Sequence, residues 1–137
     1  MAVVEELIRV EKTGELSFGN YLLAEKGKVD NFDVKGDIYK IKTCKEITKL
    51  EKNGLFVYES VPGTTVTGLV ETETGVRFTV EGNTDAQITL ELEDGATYDI
   101  NINGEDAGTM ETSFGGKITL SVELNEDEQS SVIVSKQ

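Results

Sequence analysis

QITLELEDGATYDININGEDAGTMETSFGGKITLSVEL, residues 87–124, alternates polar and apolar side chains three times over. Gln87–Leu92, Tyr98–Asn103 and Lys117–Leu124 each place apolar residues at every second position. A period of two belongs to a strand with one face on a core and the other in water. Asp94-Gly95, Asn103-Gly104 and Gly115-Gly116 punctuate these runs, and such dipeptides supply the positive φ of hairpin turns. The stretch is a series of strands and tight turns, so the fold class is all-β.

The pattern extends in both directions. Thr65–Glu73 turns at Thr74-Gly75 into Val76–Glu81, and Gly108–Ser113 and Ser131–Val134 complete about seven short strands in the last 75 or so residues. That spacing predicts a small Ig-like or fibronectin-type β-sandwich. Upstream, Val4–Lys12 and Glu15–Leu23 meet at Thr13-Gly14, Val29–Val34 and Ile38–Thr43 flank Lys35-Gly36-Asp37, and Ile47–Glu51 and Leu55–Ser60 flank Lys52-Asn53-Gly54. Three hairpins in succession predict a small antiparallel β lobe. Pro62, the only proline, sits in Ser60-Val61-Pro62-Gly63, a turn signal. Charge changes there too: residues 1–62 carry 10 basic and 11 acidic groups, residues 63–137 three and 15. The expectation is a hairpin-rich lobe over 1–62 and an acidic sandwich over 63–137.

The net charge of −13 opposes approach to phosphate backbones and anionic membranes. No run nears the roughly 20 apolar residues of a membrane-spanning helix, and the first residues lack the basic and apolar regions of a signal peptide. With a single cysteine, Cys44, these features point to the cytoplasm.

Chemistry is narrowed by what is missing. The chain has no histidine, which removes Ser-His and Cys-His nucleophile pairs and zinc sites built on histidine and cysteine. No phosphate-cradling glycine motif is present, and no cofactor is expected. Twenty-six acids guarantee some pair at the spacing a glycosidase needs, but none stands in a hydrolase motif, and a solvated acidic face explains them. Lys42 and Lys45 beside Cys44 favour its thiolate, yet a lone cysteine is usually a small buried residue. Asp99, Asn101, Asn103 and Glu105, with Gly104 sixth in the series, match the opening of a calcium loop. Its twelfth position is Met110 rather than glutamate, and Ile100 and Ile102 favour an amphipathic strand entering an Asn-Gly turn.

One stretch suggests a surface for binding. In Leu55-Phe56-Val57-Tyr58, alternation sets Phe56 and Tyr58 on one face and Leu55 and Val57 on the other. Such a strand is either covered on both sides or offers an aromatic strip, joined by Tyr39 and Phe32, to a ligand or second subunit. Lys35, Lys40, Lys42, Lys45, Lys49 and Lys52 add a basic side that suits the acidic half of the same or a neighbouring molecule.

The text from Val4-Glu5-Glu6-Leu7-Ile8-Arg9-Val10-Glu11 through Leu16-Ser17-Phe18-Gly19-Asn20-Tyr21 to Phe56-Val57-Tyr58-Glu59-Ser60-Val61-Pro62-Gly63 resembles a family of short acidic proteins from clostridial-type bacteria, some labelled endosialidase. The resemblance extends over the whole chain and carries no functional motif. A sialidase needs three arginines on the substrate carboxylate and a propeller of several hundred residues, whereas this chain has only Arg9 and Arg77. The enzymatic label is therefore set aside. The expected role is structural or in protein–protein interaction, with a second copy or another protein as partner. Its alternative is a carbohydrate- or ligand-binding accessory domain, although tryptophan, the usual sugar-stacking residue, is absent.

Overall fold

The computed structural model describes residues 3–126 and 128–137. Strands β1 (Ile8–Val10), β2 (Leu16–Phe18), β3 (Gly27–Val34), β4 (Asp37–Thr43), β5 (Thr48–Lys52) and β6 (Leu55–Val61) precede Pro62. Strands β7 (Thr65–Thr72), β8 (Gly75–Glu81), β9 (Ala86–Glu91), β10 (Thr97–Ile102), β11 (Glu105–Glu111), β12 (Lys117–Val122) and β13 (Gln129–Lys136) follow it. They form two antiparallel sheets that pack as a β-sandwich. Sheet A runs β1-β2-β7-β8-β13-β10-β11, and sheet B runs β12-β9-β6-β5-β4-β3.

The sheets do not divide where the charge does. Both draw strands from either side of Pro62: β2 pairs with β7, and β6 pairs with β9. The seven strands after Pro62 split five to two between the sheets, and β3–β6 complete sheet B. Alternation explains the shared core. Phe18, Val66, Phe78, Val80, Ile100, Val132 and Val134 point inward from sheet A to meet Ile41, Leu50, Tyr58, Ile88, Leu90, Leu120 and Val122 from sheet B, in one cluster. Tyr58 is fully buried at its centre, edge-on to Phe18 and Phe78 at 5.3 and 5.7 Å, the aromatic geometry that adds to simple burial.

The turn dipeptides divide into two uses. Asn103-Gly104 closes the β10–β11 hairpin. Asp94-Gly95 instead carries the chain from β9 in sheet B to β10 in sheet A, and Gly115-Gly116 carries it from β11 back to β12. Gly95, Asn103, Gly104, Gly115 and Gly116 all take positive φ. Positive φ serves a crossover as readily as a hairpin, so the dipeptide locates the bend without stating which strands it joins.

Where the chain crosses from β6 to β7, at the cis Val61-Pro62 bond, a buried hydroxyl network ties the crossover to strands β4, β5 and β6 of sheet B. Thr64 Oγ1 lies 2.7 Å from both Tyr58 OH and Ser60 Oγ. The Thr48 hydroxyl donates to Thr64 O at 2.8 Å and accepts from Thr64 N at 3.1 Å. Thr43 Oγ1 is 2.8 Å from Thr48 Oγ1 and accepts from Asn20 N. Thr43, Thr48, Ser60 and Thr64 are completely buried, so each hydroxyl requires such a partner. Burial pushes the Tyr58 phenol far above the ordinary tyrosine range, and its bonds to Thr64 and Ser60 oppose that only in part.

Candidate interaction surface

An antiparallel sandwich has four sheet edges, each a row of unpaired backbone groups that invites another strand. Three are blunted here. Strand β1 has only three residues. Strand β3 carries a register shift between Val29 and Phe32, with Asn31 at positive φ. Strand β11 is shifted against β10 between Asp99 and Asn101, and it bears Glu105, Asp106 and Glu111 with no basic residue. The fourth edge, β12, pairs with β9 over six successive residues with no shift. Its outward side chains are Lys117, Thr119 and Ser121, while Ile118, Leu120 and Val122 point into the core.

Strands β11 and β12 lie on the same side of the sandwich. β1 contacts β3 at one side, which leaves the opposite ends of the two sheet orders together. Sheet A has seven strands and sheet B six. The mismatch falls at β11, all seven of whose residues are exposed, Met110 included. Met110 stands opposite the buried Tyr98, so it faces the side on which sheet B has no further strand. Phe114, fully exposed in the crossover between β11 and β12, adds an apolar side chain beside this edge. Sequence pattern did not single out Phe114; its signal is the Gly115-Gly116 pair that holds it in a bend away from any strand.

The residues chosen from the sequence are dispersed. Tyr58 belongs to the core and offers no surface. A register shift between Leu50 and Glu51 breaks the alternation of β6, so Tyr58 faces inward while Phe56 faces out. There Lys117 and Lys49 place their ammonium groups 4.5 and 5.9 Å from the Phe56 ring centre, an arrangement of cations over an aromatic face. Phe32 and Tyr39 are cross-strand partners at the far end of sheet B, half-buried against the core. Desolvation raises the Tyr39 phenol pKa. The expected strip of Phe56, Tyr58, Tyr39 and Phe32 is therefore not one surface.

The calcium-loop residues hold the β10–β11 hairpin and its neighbour instead. Asn101 Oδ1 accepts from Gly104 N at 3.0 Å, Asn103 Oδ1 from Ser131 N at 2.8 Å, and Asp99 Oδ1 from Gln137 Nε2 at 2.8 Å. Glu105 opens β11 opposite Ile102, its side chain exposed. Among the described residues no group of three or more Asp, Glu or Cys is placed to hold a metal ion. Cys44 is buried at the bend after β4.

The six lysines of the expected basic side are divided: Lys40 pairs with Asp30 and Lys52 with Asp37 and Glu71, while Lys42 and Lys49 share an outer row with Lys28. Lys28, Lys42 and Lys49 stand directly opposite one another across β3, β4 and β5, and the row continues through Glu59 and Thr89 to Thr119. Two clefts open at the ends of the sandwich. One, of about 290 Å³, has Leu69, Val76, Leu90 and Tyr98 on its walls and Glu71, Glu73, Glu91 and Glu93 around it. The other, of about 480 Å³, is lined by Tyr21, Val61, Pro62, Asn83 and Thr84 among others. No family model matches this chain, and no curated protein or solved structure gives a significant match.

Proposed function

We propose that the protein is a non-enzymatic structural or interaction module that works by associating with itself. The observation that carries this reading is the seventh strand of sheet A, left without an opposing strand in sheet B and exposed along its whole length. A strand joining the adjacent edge of sheet B would cover it. Net charge of −13 disfavours nucleic acid and anionic membrane as partners, and a buried unpaired Cys44 suits the reducing cytoplasm. The two arginines support setting aside sialidase chemistry. Arg9 on β1 pairs with Glu6 and Glu11, and Arg77 on β8 pairs with Glu15, so each is engaged with its own acids.

Size-exclusion chromatography with light scattering, at low salt and at about 0.5 M where surface charge is strongly screened, tests the reading. A defined oligomer is expected in both. A monomer at every soluble concentration refutes self-association.

A second reading, binding of a carbohydrate or other small ligand, is favoured by the cleft beside Pro62, whose surface is mostly apolar with Asn83 and Thr84 at hand. Such a mix suits a ligand with an apolar face and a few hydroxyls. Glycan-array binding lost in a Val61→Asp variant that still folds would support it, and a blank array with no thermal shift would remove it.

A further inference from the structure

We infer that the self-association proposed above, on which this step rests, joins β11 of each copy to β12 of the other about a twofold axis parallel to the strands. The step between the layers dictates that axis. One perpendicular to the sheets would keep like layers together and drive each β11 against β10 of the other copy. Rotation about an axis along the strands exchanges the layers instead, so sheet B of the second copy continues sheet A of the first. Each layer then holds the seven strands of one sheet A and the six of one sheet B, and the overhangs interlock. Each β11 fills the place beyond β12 that the other copy leaves empty. The two β11 strands face each other across the axis, where each covers Met110 of the other, and both Phe114 side chains stand at one end of that axis.

Direction and height follow from the chain itself. Residues 112–116 form a short arch from β11 to β12, and Ser113 N donates to Lys117 O across it at 3.0 Å. The two strands are therefore antiparallel and leave the arch at about one height. A twofold along the strands preserves both, so β11 meets the other copy's β12 antiparallel and nearly in step. Backbone groups agree. Thr112 N donates to Ala96 O within sheet A, and Leu92 N donates to Gly116 O within sheet B. Bonding groups alternate sides along an antiparallel strand, so Thr109, Glu111, Lys117 and Thr119 turn theirs outward.

Side chains select the register. Glu111 opposite Lys117 sets Thr109 opposite Thr119 on the outer face and Met110 opposite Ile118 on the inner. Glu111, Lys117 and Thr119 are exposed and Ile118 is buried, so the faces match across the junction. Neither Glu111 nor Lys117 forms an ion pair with another described residue of its own chain. The register shift in β11 between Asp106 and Thr109 ends the ladder before Glu105 reaches Glu123. Its acids defend β11 against a second β11, whereas β12 offers it a lysine.

The test is a charge swap read by light scattering and sedimentation at about 0.1 M salt, where close pairs still act. The wild type is expected to be a dimer, because a twofold junction closes on itself. Glu111→Lys and Lys117→Glu each set like charges opposite one another twice, and each is expected to weaken dimerisation roughly tenfold or more. Glu111→Lys also makes the whole side less acidic, so a tighter dimer in that variant would show that bulk charge governs and would overturn the pairing. The double variant keeps the net charge of −13 and is expected to recover wild-type association. Both positions are exposed, and unchanged circular dichroism confirms that each variant folds. If the single variants associate as well as the wild type, or the assembly is larger than two chains, the junction is overturned while self-association stands. If the singles weaken and the double does not recover, the register of Glu111 on Lys117 is overturned. If the wild type is monomeric throughout, both this inference and the reading beneath it fall.

Discussion

Replacing Thr64 by valine keeps the volume of a fully buried side chain but removes the hydroxyl on which two others depend. Tyr58 OH and Ser60 Oγ both lie 2.7 Å from Thr64 Oγ1, and no buried side-chain polar atom is unsatisfied among the described residues. Thr64→Val therefore orphans up to two buried hydroxyls. Each orphan costs about 1–3 kcal/mol. The serine can turn back toward its own backbone, so we expect a loss in the lower half of the summed range, about 3 kcal/mol. Tyr58→Phe alone removes one hydroxyl and leaves Thr64 with Ser60, for a loss of about 1 kcal/mol. The two together should cost less than the sum, because the phenylalanine removes the very orphan that the valine creates. A coupling of about 1–2 kcal/mol is expected from this shared contact. Urea unfolding followed by circular dichroism at several fixed protein concentrations gives all four corners of the cycle, the series removing any contribution from assembly. Strict additivity would refute the network as the bond between sheet B and this crossover.

The other predictions concern the same crossover and the core. Gly63→Ala is expected to cost at least about 3 kcal/mol or to prevent folding, since an added Cβ would meet the backbone carbonyl of Cys44 and overpacking against backbone has no easy relief. Gly54→Ala, at φ +79 with open space around it, should cost only about 1 kcal/mol from the left-handed conformation; thermal unfolding of the pair checks the contrast. Stability should be level through neutral pH and fall above about pH 10, where unfolded tyrosines ionise and buried Tyr58 does not. The folded pKa is the higher one, so the folded state keeps its proton, and the slope from this group approaches about 1.4 kcal/mol per pH unit. Tyr58→Phe should flatten the alkaline limb of the pH–stability curve, and an unchanged limb would count against the burial of the phenol.

Much of the fold is legible in the sequence because a strand with one buried face leaves its mark at every second residue. Ile88, Leu90, Ile118, Leu120 and Val122 alternate without interruption, and their strands lie where the pattern puts them. Partnership between strands leaves no such mark. The pattern of β9 and β10 around Asp94-Gly95 is that of a hairpin, yet the two strands belong to different sheets. Shifts of register are equally silent. One extra residue in β6 turned Phe56 and Tyr58 to opposite faces, and the aromatic strip expected from alternation vanished with it. An edge can be recognised only when the order of strands is known, which is why β12 and the overhang of β11 could not be found from residues 87–124 alone.

The charge division about Pro62 survives in another form. It marks no boundary between domains, since β2 with β7 and β6 with β9 bridge it. It becomes instead an asymmetry across one body. The lysine row lies on β3, β4 and β5, while Glu105, Asp106 and Glu111 lie on β11 and Glu123 follows β12 at the opposite side. Two modes of assembly then answer salt differently. Contact of the basic side with the acidic side of another copy draws on attraction, and added salt weakens it. Contact of the acidic side with the acidic side of another copy brings like charges together, so salt relieves a repulsion spread over many groups. An association that holds or tightens as salt rises to about 0.5 M is therefore the signature of contact through the acidic side. One that dissolves in salt would assign assembly to the lysine row.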